Sequence, residues 1–200
     1  MKLVALTGAG ISKPSGIPTF EEMGDLRQKL SRDYFESNPE NFYDILLKMK
    51  EKIDMAMPNP AHIALAKYDI PIVTMNIDGL HKKALSKNVI EIHGNLEYVE
   101  CKKCKKTFDF NIVKKRIYCD ECESLLQPNV VLYGDMIPLY FNAVELIATT
   151  NELLVVGTSF YTSTSSDLVY IARNAGAKVT IINDRAEEKL PEYLKNIFGF

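Results

Sequence analysis

Apolar residues along this chain fall into two alternating patterns. Short unbroken runs rich in β-branched residues occur at Leu3-Val4-Ala5-Leu6, 70–74, 89–92, Val130-Val131-Leu132, Leu153-Leu154-Val155-Val156 and 178–182. They predict six short, buried strands. Between them lie segments with apolar residues at three- and four-residue steps. Within 38–55, for example, Phe42, Ile45, Leu46, Met49 and Ile53 mark one buried helical face. Helices are also predicted over 22–30, 61–68, 80–85, about 139–148 and 165–174, with Pro58-Asn59-Pro60 stopping the long one. Strands alternating with helices favour an α/β fold, a mostly parallel, doubly wound sheet with right-handed crossovers. No internal repeat or low-complexity tract interrupts the pattern.

In such sheets ligands gather at the carboxyl ends of strands, so the residues that follow each run carry the chemistry. The first run breaks into Gly8-Ala9-Gly10-Ile11-Ser12-Lys13-Pro14-Ser15-Gly16-Ile17-Pro18. Glycine lacks a Cβ and lets backbone approach a phosphate. Alone, this Gly-x-Gly serves a dinucleotide loop and a plain turn equally well, since Lys13-Pro14 stands where a third glycine would open a helix. Later runs end in Asn76-Ile77-Asp78-Gly79, His93-Gly94, Tyr133-Gly134, Gly157-Thr158-Ser159 and Asn183-Asp184. His93 has the residue type for proton transfer near neutral pH, although a histidine taken alone is more often structural. Asn76 and Asp78 would also suit helix caps before Leu80. His62 and His81 are expected to pack or hydrogen-bond.

Composition narrows the field. With 200 residues, 46% of them hydrophobic, the chain can bury one substantial core plus a small appendage. No apolar run is long enough to span a bilayer, and the opening residues read as a strand and not as an export signal, so a cytoplasmic protein is expected. A net charge of −2 gives no global reason to expect nucleic-acid binding. All four cysteines fall in two knuckles, Cys101-Lys102-Lys103-Cys104 and Cys119-Asp120-Glu121-Cys122. That spacing suits four thiolates on one zinc ion, a closed and therefore structural site. A redox pair or four buried free thiols are the alternatives.

Taken together, the opening glycine loop, Thr74-Met75-Asn76-Ile77-Asp78-Gly79-Leu80-His81, Glu91-Ile92-His93-Gly94-Asn95 and the paired knuckles resemble the sirtuin (Sir2) family of NAD-dependent protein deacylases. The resemblance runs from the first strand to Ile182-Asn183. It implies a Rossmann-like NAD-binding domain over 1–95 and 128–200, with a helical insertion at about 22–57, and a zinc-ribbon module over 96–127. It also implies a reaction: an acyl-lysine amide oxygen attacks the ribose carbon bearing nicotinamide, nicotinamide leaves, and water completes acyl transfer to ADP-ribose.

The roles that the resemblance implies are these. His93 is the general base, Asn76 positions ribose or water, and Asp78 meets the nicotinamide carboxamide. Gly8, Ala9, Gly10, Ser12, Phe20 and Ile77 line the cofactor, as do Gly157, Thr158, Ser159 and Asn183. Val131, Tyr133 and Gly134 form the strand and tunnel for the acyl-lysine. Cys101, Cys104, Cys119 and Cys122 hold zinc. Acyl-lysine proteins are the expected partners, and a monomer the expected state. The chain departs from the family at Glu21, where arginine is usual, and at Met75, where glutamine is usual. Tyr133 and Asp135 are milder changes. Leu46 and Met49 stand where desuccinylating members carry a tyrosine and an arginine, so an uncharged acyl group is expected. ADP-ribosyl transfer to protein, simple NAD cleavage and a non-catalytic NAD or acyl-lysine binding module remain the competing functions.

Overall fold

The computed structural model describes residues 2–19, 22, 24, 26–159 and 163–199. In chain order, β1 (Leu3–Thr7) gives way to a 3-10 turn (Ala9–Ser15), followed by α1 (Leu26–Lys29), α2 (Arg32–Ser37) and α3 (Pro39–Met55). Next come α4 (Pro60–Lys67), β2 (Ile72–Thr74), α5 (Leu80–Lys83) and β3 (Val89–Glu91). Three strands, β4 (Gly94–Glu100), β5 (Thr107–Asp109) and β6 (Gln127–Val130), make a smaller unit. The chain then returns through α6 (Tyr140–Ala148), β7 (Glu152–Val156), α7 (Ser163–Asn174), β8 (Lys178–Ile182) and α8 (Ala186–Phe198).

Five strands form a parallel sheet in the order β3-β2-β1-β7-β8. Successive side chains of a strand point to opposite faces. Leu3 and Ala5 of β1 therefore join Ala61 and Leu65 of α4 and Leu190 and Leu194 of α8. Val4 and Leu6 join Ala143 and Ile147 of α6 and Leu168 and Ala172 of α7 on the other face. The chain leaves β1 towards β2 and leaves β7 towards β8. The connections leaving β1 and β7 consequently run to opposite sides of the sheet, the arrangement that opens a crevice at a switch in strand order.

The smaller sheet is antiparallel, in the order β5-β4-β6. Its core is shared with the helices that precede it: Phe35, Phe42, Tyr43 and Leu46 are buried against Val99, Phe110 and Leu126. Phe35, Phe42 and Tyr43 meet edge to face with centroids 4.8–5.9 Å apart, a favourable ring geometry. The Tyr43 hydroxyl, buried with them, donates to the Leu126 carbonyl.

Three expectations need correction. The run at 130–132 is not a strand of the parallel sheet. β6 ends at Val130 and pairs with β4, while Tyr133 pairs with the chain at Leu30 and Arg32. Where a helix is expected over 22–30, residues 26–29 form α1 while Glu22, Gly24 and Leu30 lie in turns, and α2 follows after a Ser31 cap whose hydroxyl accepts from the Tyr34 N–H at 3.2 Å. Lastly, α8 was not among the predicted helices. Its buried Ala186, Leu190 and Leu194 recur at four-residue steps, and Pro191 within it obscures the pattern.

Candidate active site

A cavity of about 1010 Å³ opens along the carboxyl ends of the parallel strands and is closed on its far side by the smaller lobe. One wall includes Gly8, Ala9 and Gly10 after β1, Gly157, Thr158 and Ser159 after β7, and Asn183 after β8. The glycines let these loops touch. A Cβ on Gly8 would lie 2.8 Å from the Gly157 carbonyl oxygen, and one on Gly10 would lie 2.8 Å from Gly157 Cα. The Gly10 N–H donates to the Gly157 carbonyl at 2.7 Å, and Gly157 itself has φ +64°. Glycine is required here first for loop-on-loop packing, which then leaves bare backbone facing the crevice. Asn183 holds the same wall: its Oδ1 accepts from the Thr158 N–H at 3.0 Å and its Nδ2 donates to the Thr158 carbonyl at 2.6 Å.

His93, Asn76 and Ile77 line the middle of the cavity. His93 Nδ1 lies 2.9 Å from the Met75 carbonyl. A carbonyl oxygen can only accept, so Nδ1 carries the proton and Nε2 keeps a lone pair. Burial pushes the His93 pKa below the ordinary 6.5, against the weaker opposing effect of the Met75 hydrogen bond. The imidazole is thus held neutral, in one tautomer, as a base.

Ser12 and Asp78 do not line this cavity; both are buried in the layer behind it. The Ser12 hydroxyl donates to Asp78 Oδ2 at 2.6 Å and accepts from Asn76 Nδ2 at 3.1 Å. Asn76 Nδ2 also donates to the Gly8 carbonyl at 3.2 Å, while Asp78 Oδ1 caps the Leu80 N–H at 2.9 Å. Asn76 is therefore aimed by the glycine loop and Ser12, and Asp78 serves as the cap its residue type allowed. His62 and His81 complete the layer as packing residues. His62 Nε2 is 3.4 Å from the Ser12 hydroxyl, and His81 Nε2 is 2.9 Å from the Thr7 hydroxyl.

Val131, Tyr133 and Gly134 form the opposite wall, together with Leu30 and Leu46. The Val131 N–H donates to the His93 carbonyl at 2.9 Å, which ties this wall to His93. Phe20 and Glu21 lie outside the described residues. Sequence reasoning missed Arg185 and Glu187, which line the cavity at the start of α8. Acidic residues in the first turn of α8 and Lys195 in its last were the available signal.

The cysteines stand apart from the cavity. The four sulfurs of Cys101, Cys104, Cys119 and Cys122 lie within 4.8 Å of one another. A tetrahedron with Zn–S bonds of about 2.3 Å spaces its sulfurs by roughly 3.8 Å, so the set fits one zinc ion with every coordination position filled by thiolate.

The Sir2 family model matches residues 8–163. The chain is 37% identical to an NAD-dependent protein deacetylase of Thermotoga maritima, covering 90% of this chain and 80% of that one. It is 36% identical to NAD-dependent protein deacylase 2 of Archaeoglobus fulgidus, covering 98% and 85%. Among solved structures, Sir2Tm bound to a propionylated peptide superposes with a TM-score of 0.88 at 32% identity, covering 99% of this chain and 93% of that one.

Proposed function

Because the chain belongs to the Sir2 family, we propose that it is an NAD-dependent protein-lysine deacylase. Acyl-lysine, NAD and water become lysine, nicotinamide and O-acyl-ADP-ribose. The observation that carries this reading is His93, neutral and with Nε2 able to accept a proton, in one cavity with Asn76 and the glycine loops.

The work asked of the protein is positioning and proton transfer. His93 takes a proton from a ribose hydroxyl. Asn76, held by Ser12 and the Gly8 carbonyl, orients ribose or water. Gly8, Gly10 and Gly157, whose N–H groups are bonded within the fold, present no Cβ and so let the phosphates lie close against the loops, and Asn183 acts by fixing the Thr158 backbone. Asp78 acts through Ser12 and the Leu80 cap. Val131, Tyr133 and Gly134 wall the acyl-lysine; since the Val131 N–H and both Tyr133 backbone groups are bonded within the chain, the substrate peptide pairs as an added strand through the backbone of Gly134 and the Val131 carbonyl. Leu46, fully buried at this wall, offers no charge to grip a carboxylate, which favours acetyl and other uncharged acyl groups.

The cysteine set supplies a structural zinc site that steadies the smaller lobe. The division into 1–95 with 128–200 and 96–127 follows this separation of cofactor wall from metal clip. Among the described residues no helix is long and apolar enough to cross a membrane. We read the protein as a cytoplasmic monomer acting on acyl-lysine proteins.

Incubating the protein with an acetylated peptide and NAD, followed by mass spectrometry, tests the reading. Deacetylated peptide, nicotinamide and O-acetyl-ADP-ribose are expected. A peptide that gains ADP-ribose, or reactants left intact, overturns it. His93→Ala should lower kcat by about 10²–10⁴-fold, the usual contribution of a general base. Because the base works unprotonated, the acid limb of kcat/KM in the wild type should have its midpoint below pH 6.5.

A further inference from the structure

The wall assigned to the acyl-lysine is held by a polar clamp that the chemistry above does not use. Arg32 lies at the start of α2, and its guanidinium grips Asp135 with both arms of the fork: Nε to Oδ1 at 2.9 Å and Nη2 to Oδ2 at 2.8 Å. Its remaining arm, Nη1, donates to Gln127 Oε1 at 2.8 Å, and the group stacks over the Phe35 ring at 5.2 Å. Asp135 in turn binds the wall itself. Its Oδ2 accepts from the Leu132 N–H at 3.0 Å, and its own N–H donates to the Leu132 carbonyl at 2.9 Å. On the neighbouring residue, the Tyr133 N–H donates to the Leu30 carbonyl at 3.1 Å and the Tyr133 carbonyl accepts from the Arg32 N–H at 2.9 Å. Leu132 and Tyr133 thus have both backbone groups fixed, by Asp135 in the first case and by Leu30 and Arg32 in the second.

We infer that Arg32 and Asp135 are a positioning pair for the acyl-lysine peptide: they fix the turn at 132–135, closed by the Asp135 N–H on the Leu132 carbonyl, which presents Gly134 at φ +101° to the incoming chain. The inference rests on the deacylase reading. A planar, two-bond fork fixes direction as well as distance, which a single ammonium does not. The pair makes no bond to the glycine loops of the cofactor wall, so its effect should fall on one substrate.

Steady-state kinetics of Asp135→Asn, Arg32→Met and Arg32→Lys, with acetylated peptide and NAD varied separately, tests this. For Asp135→Asn and Arg32→Met the peptide KM should rise about tenfold, the equivalent of one charge-assisted interaction, while the NAD KM stays within about twofold. Arg32→Lys, which keeps the charge but loses the fork, should fall between. Asp135→Asn is nearly isosteric and keeps the test alive should Arg32→Met fail to fold. An NAD KM that rises in step with the peptide KM, or a peptide KM that does not move in folded Asp135→Asn, overturns the inference. A wild type that neither turns over nor binds the peptide by calorimetry removes the deacylase reading and this inference together. An active wild type with unresponsive variants removes this inference alone.

Discussion

The two lobes around the cavity solve the same problem, fixing a wall, with different materials. In the parallel-sheet lobe β1 and β7 are buried from end to end, and helices cover both faces. Its wall is backbone held by neighbouring backbone and by the single side chain of Asn183. The smaller lobe has strands of three to seven residues, and its core joins α2 and α3 to a cysteine knuckle far along the chain. There, sulfur and side-chain clamps do what continuous apolar strands do in the other lobe. The first lobe should therefore hold its shape through the chain alone, whereas the second should depend on metal.

The sharpest way to break the comparison is to remove that metal. Cys101 and Cys119 are buried ligand candidates, and four thiolates left without an ion would repel one another at the heart of the lobe. Cys101→Ser or chelation should abolish turnover by at least about a hundredfold, because the substrate wall and the backbone near His93 lean on this lobe. Near-UV circular dichroism should also weaken, since Phe35, Phe42, Tyr43 and Phe110 pack there, while the far-UV signal of the parallel sheet persists. A variant with full near-UV signal and full turnover at zero zinc content would defeat this view.

The complementary break lies in the cofactor wall. An added Cβ at Gly157 would meet the Ile11 nitrogen at 2.1 Å and the Gly10 carbonyl carbon at 2.6 Å, on a residue already at φ +64°. Gly157→Ala should cost about 3 kcal/mol by clash and backbone strain combined, and should weaken NAD binding. Zinc content should stay at one ion per chain. Thermal unfolding with NAD titration reads the first two effects, and elemental analysis the third.

The same contrast explains what could be read from the sequence. The parallel sheet was legible because each strand announces itself by a local apolar run ending in Gly, Asn or His, and the pattern needs no knowledge of distant residues. The positions of His93, Asn76 and the glycine loops followed from those strand ends, and their roles from the resemblance to the Sir2 family. The smaller lobe was legible only in its cysteines. Nothing near Val130-Val131-Leu132 tells a reader that Tyr133 will pair with Leu30 and Arg32, a hundred positions earlier. Such long-range pairing leaves no local period, and so the run was assigned to the wrong sheet. Asp78 could be read two ways for a related reason: its residue type suits a ligand and a cap alike, and only the fold turns it towards Ser12 and Leu80.

Between these extremes sits the layer of imidazoles behind the glycine loop, which makes the sheet lobe sensitive to acid. Burial pushes His62 down to about 4 against the pull of Asp78, and burial followed by the neighbouring His62 ring pushes His81 down to about 3. An unfolded histidine takes its proton near 6.5. Both rings therefore contribute stability that is fully present above pH 6.5 and is lost as pH falls through that value towards 4 and 3. Between pH 7 and pH 5 the loss should be on the order of 2 kcal/mol per ring. Urea unfolding at the two pH values checks it. His81→Gln should flatten the pH dependence, and an unchanged slope in that variant would show that the acid sensitivity arises elsewhere.

The smallest expected effect is at the seam where the lobes are pinned together. A helix ends with carbonyls that have no partner within it, and α3 ends at Met55. Lys83 reaches across from α5 and donates to the Ile53 carbonyl at 2.8 Å and to the Ala56 carbonyl at 3.3 Å, placing a cation on the negative end of the helix dipole. The side chain is exposed, so water competes for the same carbonyls and the gain is modest. Lys83→Met should cost about 1 kcal/mol and leave zinc content unchanged. Since the bond joins an α5 residue to a helix that packs with the metal lobe, the loss should appear as earlier melting of the near-UV signal than of the far-UV signal. Should both signals shift together, Lys83 would be stabilising the molecule as one unit, and the independence assigned to the two lobes would have to be abandoned at this seam.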